Sequence, residues 1–166
     1  MRHRLCTALV ALILLVAATP SSAQDVPAVE VGFGFSTYRD LTYETSAPVG
    51  WFVAPSFNVN RWFSAAIDVG GNYGGDNDGA EHAFSGGPRF RYNWSRVGIY
   101  FQLLGGVATY AGDSNAILQS GLGFDVHLSP AWALRAETAG RTGNLDGESD
   151  TRWRGAFGLV YRTGSR

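Results

Sequence analysis

Apolar residues alternate with small or polar ones along most of this chain, the two-residue period of a strand with one apolar face. Residues 28–38 set Val29, Val31, Phe33 and Phe35 against Glu30, Gly32, Gly34 and Ser36. The same pattern recurs over residues 46–58, 62–72, 82–93, 97–110, 116–128, 132–141 and 152–162, which predicts eight strands. Turn residues separate them. Val59-Asn60-Arg61, Trp94-Ser95-Arg96 and Ser129-Pro130-Ala131 make three short links, whereas 73–81 and 143–151 read as longer, Gly-rich, acidic loops. An even number of strands whose links alternate short and long suggests an up-and-down antiparallel sheet closed into a barrel.

One face of that sheet is apolar, and what it meets decides the class of protein. In a soluble barrel the polar face is the solvent surface, where long charged side chains are expected. Here the polar face is mostly Gly, Ala and Ser, sizes that suit the interior of a narrow barrel, while the apolar face carries no charge in any segment. The apolar face therefore reads as lipid-facing, and the fold class as an all-β, eight-stranded transmembrane β-barrel. Phe57, Trp62, Tyr92, Trp94, Trp132 and Tyr161 crowd around the short turns and read as one interfacial girdle.

Composition narrows the function. All 13 basic residues are Arg against 14 acids, a net charge of −1, without the basic excess of a nucleic-acid binder. The absence of Lys excludes lysine nucleophiles and Schiff bases. Arg2 and Arg4, an apolar run over 8–19 and the small residues Ser21-Ser22-Ala23 form a signal-peptide pattern over 1–23, which leaves 24–166 as one barrel domain. The one Cys, Cys6, lies inside the signal, so no disulfide or thiolate chemistry is expected in the barrel.

The inward phase collects Glu30, Asp68, Asp125 and Glu137 with Arg89, Arg91, Arg135, Arg141 and Arg154. Near-balance in a narrow interior suggests a polar network of internal ion pairs, because an unpaired buried charge is costly. On that reading Arg89→Leu should destabilise the barrel. The competing reading is an ion path or a carboxylate pair. Asp76-Asn77-Asp78-Gly79 faintly follows a calcium loop but lacks the distal Glu, and neither metal nor cofactor is expected.

Residues 121–137, Gly-Leu-Gly-Phe-Asp-Val-His-Leu-Ser-Pro-Ala-Trp-Ala-Leu-Arg-Ala-Glu, are similar to the strand six to seven hairpin of small outer-membrane barrels. With the strand pattern, the chain resembles the OmpA transmembrane domain, OmpX and the opacity-like proteins. That resemblance implies export through the periplasm and a monomer in a Gram-negative outer membrane. Its partners would be lipid, lipopolysaccharide and the barrel-assembly machinery, and its role structural or surface-interactive. A narrow porin-like channel is the alternative. His127, Ser129 and Glu137 superficially resemble the catalytic set of lipid A deacylase barrels, but they abut a short turn, and no enzymatic activity is expected.

Overall fold

A computed structural model of the chain describes residues 27–40, 46–74, 80–110, 112–145 and 148–165. The segment assigned to the signal peptide and the Asp76–Gly79 stretch lie outside the described residues. Eight strands, β1 (Pro27–Asp40), β2 (Ser46–Asn58), β3 (Phe63–Tyr73), β4 (Glu81–Trp94), β5 (Val97–Tyr110), β6 (Asp113–His127), β7 (Trp132–Leu145) and β8 (Glu148–Ser165), pair antiparallel in sequence order. β8 then pairs with β1, so the sheet has no free edge.

Closure fixes the shape. From Val29 the register runs through Phe57 and Ala65 to Pro88, carries across the break beside Pro88 to Leu103 between the pairs Gly86–Gly105 and Arg89–Gln102, and goes on through Ser120, Gly140 and Trp153 to β1 at Arg39, a stagger of ten residues (39 minus 29). With ordinary strand spacing and rise, eight strands with that stagger tilt by about 40° and enclose a cylinder of about 8 Å radius at the backbone. Such a cylinder is just wide enough for side chains to fill. The pairing is interrupted beside Pro55 between β2 and β3, and beside Pro88 between β4 and β5, where a missing N–H removes a ladder bond.

Alternation sorts the side chains as the sequence pattern requires. Phe35, Val53, Phe84, Phe101, Leu122, Phe124 and Phe157 are exposed on the outer wall. Among the described residues, exposed Asp and Arg occur only at strand ends and turns. The inner wall buries Phe52, Leu104 and Val160 among mostly polar neighbours.

The links depart from expectation at one end. Residues 143–151 do not form a long loop. Gly143 pairs with Asp150, Asn144 with Ser149 and Leu145 with Glu148, so β7 and β8 run on until two residues, 146–147, separate them. β5 and β6 are likewise only two residues apart, while 41–45 and 74–80 are longer. The extensions lie beyond the apolar belt. There backbone pairing continues, but no apolar face has to be presented, so the alternation that marks a strand is missing.

Inner-wall glycines make room for bulky partners. A Cβ on Gly123 would lie 2.0 Å from the Tyr100 ring. Gly123→Ala should therefore displace that ring and destabilise the barrel by about 1–3 kcal/mol, as overpacking does. Thermal unfolding in detergent checks this, and an unchanged midpoint would contradict the close approach.

Candidate functional site: the barrel interior

The inward positions of all eight strands converge on one axis. Glu30, Asp68, Arg89, Arg91, Arg135, Glu137, Arg141 and Arg154 are buried there, as is Asp125. These are the inward charges picked out by phase in the sequence.

Pairing runs in tiers from the short-turn end. Arg91 Nη1 donates to Glu30 Oε2 at 2.8 Å and to Asn58 Oδ1 at 2.8 Å, while Arg162 Nε lies 3.3 Å from the other Glu30 oxygen. In the next tier Arg135 clamps Asp125 through two bonds, Nε to Oδ1 and Nη2 to Oδ2, both 2.8 Å. Arg154 holds Asp68 the same way at 2.7 and 2.6 Å, and its Nη2 also donates to Glu137 Oε1 at 3.0 Å. The remaining Glu137 oxygen accepts from the Tyr100 hydroxyl at 2.5 Å. At the far end Arg141 and Arg152 both donate to Glu81, and Arg141 also donates to Gln119. The two-bond clamps use the planar fork of arginine, which an ammonium group cannot reproduce.

Arg89 differs from its neighbours. It donates to Gln102 Oε1 from Nε and Nη2, at 3.0 and 2.7 Å, and it lies 3.4 Å from the Ser56 hydroxyl. Its guanidinium sits 4.4 Å from the centre of the Tyr100 ring, and that of Arg135 lies 4.7 Å from the same centre. No carboxylate lies within 4 Å of Arg89 among the described residues.

The three residues resembling a deacylase set are not brought together. Ser129 is exposed in the turn, where its hydroxyl accepts from the Ala131 and Trp132 amides. His127 pairs across the sheet with Ala133, four positions from Glu137, which is about 13 Å along a strand. Glu137 is committed to Tyr100 and Arg154.

The six aromatics expected as a girdle are all exposed at the short-turn end. Trp62 stacks on Tyr92 with ring centres 5.3 Å apart, and Trp132 leans on Tyr161 at 5.0 Å. A second exposed row stands at the opposite end, with Trp51, Tyr73 and Trp153, where the Trp51 indole donates to the Tyr73 hydroxyl at 3.1 Å.

No protein-family model and no curated protein matches the chain. Solved structures do. Neisserial surface protein A superposes with a TM-score of 0.59 at 13% identity, over 81% of this chain and 95% of that one. The fold is that of the small outer-membrane β-barrels. OprG of Pseudomonas aeruginosa gives 0.59 at 10% identity, over 86% of this chain and 98% of its own. The N-terminal barrel domain of OprF from the same organism gives 0.55 at 12%, over 80% and 96%.

Within this barrel, sequence reasoning missed several members of the interior. Glu81 falls within the loop predicted over 73–81, yet it opens β4, buried between Arg141 and Arg152. Gln102 and Gln119 are neutral and were not flagged, although each receives two bonds from one guanidinium. Inward parity alone would have found both glutamines.

The pairing also ranks two inward arginines by what their loss should cost. Arg154→Leu strips two buried carboxylates of their cation and should cost about 3–5 kcal/mol. Arg89→Leu takes the donor from two neutral acceptors, Gln102 Oε1 and the Ser56 hydroxyl, and should cost about 1–3 kcal/mol. Urea unfolding of the two variants checks the order, and a reversed order would contradict the assignment.

Proposed function

We propose that this chain is an integral protein of a bacterial outer membrane, exported through the periplasm. Its lumen is plugged by its own ion pairs, and its role is structural rather than catalytic. The observation that carries the reading is the pairing of opposite surfaces across one wall. The outer face is apolar and free of charge between the strand ends, and the inner face is a continuous ladder of arginine and acid. A bilayer suits the first, and pairing of nearly every charge suits the second.

The two aromatic rows support the placement. Phe57 and Trp51 lie six positions apart on β2, and Tyr161 and Trp153 eight apart on β8. At about 3.3 Å per residue and a tilt of about 40°, they bracket a belt of roughly 15–20 Å, in line with girdles flanking an apolar band of about 25 Å. Lipid tails and lipopolysaccharide are then the standing partners of the wall, with the barrel-assembly machinery engaged during insertion. Links of two residues between β5 and β6 and between β7 and β8 favour a rigid, self-contained monomeric span over a binder with long reaching loops.

The occluded interior favours a silent barrel over a porin-like channel. Refolded protein, verified by heat-modifiable gel migration, should show no conductance steps in a planar bilayer. Reproducible small steps would overturn the plug and establish the narrow channel.

A further inference from the structure

Just inside the short-turn end, Glu30, Arg89, Arg91, Tyr100, Asp125 and Arg135 surround a small cavity that His127 and Asn93 also line. Its charges do not cancel. Glu30 is shared by Arg91 and Arg162, Asp125 is taken up by Arg135, and Arg89 has only neutral hydrogen-bond acceptors. The adjoining tier leans the other way, with Arg154 between Asp68 and Glu137. Together the two tiers set five guanidiniums (Arg89, Arg91, Arg135, Arg154, Arg162) against four carboxylates (Glu30, Asp68, Asp125, Glu137), which leaves one positive charge over.

That excess cannot be relieved by titration. A buried lysine can give up its proton, but arginine stays charged. Arg89 and Arg135, each 1% exposed, bring their charges to the same tyrosine ring. Among the described residues, two donors of the cavity lining are buried with no hydrogen-bond partner, Nη1 of Arg135 and Nε of Arg91, and Nε of Arg154 and of Arg162 are in the same state nearby. The cavity is just at the size of one water molecule, so a single halide enters only as the flexible ends of Arg91 and Arg135 give way, and the larger phosphate and sulfate are ruled out.

We propose that this cluster binds a single small monovalent inorganic anion of chloride size, held by the Arg89–Arg91–Arg135 group beneath Tyr100. The anion balances the leftover charge and gives the idle N–H groups an acceptor. Access is from the short-turn end, past Asn93, which is exposed, and His127, which is half-buried. The site requires no through-path, so it stands whether the barrel proves silent or conducting.

The test reads occupancy rather than current. Crystals of the refolded barrel grown in bromide should show an anomalous peak within hydrogen-bond reach of Arg135 Nη1 or Arg91 Nε. In solution, the unfolding midpoint should rise with the logarithm of chloride concentration and stay flat in gluconate at matched ionic strength. Arg89→Gln removes the surplus charge, and the chloride-dependent shift should vanish with it. If that variant does not fold, the bromide map of the unmodified chain decides. No peak at the cluster, equal midpoints in chloride and gluconate, or an undiminished shift in Arg89→Gln would each overturn the proposal.

Discussion

The fold depends on cancelling charge inside a cylinder too narrow to hold bulk water. Eight strands with a ten-residue stagger leave an interior that side chains must fill, and this chain fills it with arginine and carboxylate more than with hydrocarbon. Such filling is stable only if nearly every charge finds a partner with good geometry. Two-bond clamps at Asp125 and Asp68 meet that demand, and shared acceptors at Glu30 and Glu81 spread it over several strands. The pairs also work as staples. Asp68 on β3 and Arg154 on β8 are 86 positions apart in sequence, so their contact exists only once the barrel has closed.

The wall imposes a complementary constraint. Because adjacent residues point to opposite faces, each apolar residue that meets the outer environment fixes the inward placement of its neighbours. This coupling made the strands and the inward charges legible in the sequence. Val97 to Leu103 alternates without interruption, and the strand predicted over 97–110 carries those same bounds. The coupling lapses past the apolar belt. The extensions of β7 and β8 and the burial of Glu81 escaped notice there, since pairing beyond the belt satisfies the backbone without asking anything of the side chains.

Parity shows that a residue points inward, but not what it meets. The partner is set by the stagger around the barrel, a global quantity that no local window contains. Arg89 shows the consequence. Inward phase made it look like another ion-pair member, whereas the register puts Gln102 directly across from it and Tyr100 beneath its guanidinium. His127, Ser129 and Glu137 teach the same lesson in reverse. They superficially resemble a deacylase set in sequence, and the hairpin distributes them between a turn, a strand end and the Tyr100–Arg154 tier.

The central claim is that one wall separates a packed polar interior from a lipid-facing exterior, and single cysteines test both sides of it at once. The only cysteine of the chain, Cys6, lies outside the barrel strands, so an introduced thiol there has no background within them. Ser85 is 1% exposed on the inner wall and Leu122 stands exposed on the outer one. In folded protein in bilayers, Ser85→Cys should resist both a charged, water-soluble thiol reagent and a membrane-soluble one. Leu122→Cys should react with the membrane-soluble reagent alone. Rapid labelling of Ser85→Cys by the charged reagent would show a water-filled lumen, and labelling of Leu122→Cys by it would place the outer wall in water. Either result would contradict the account.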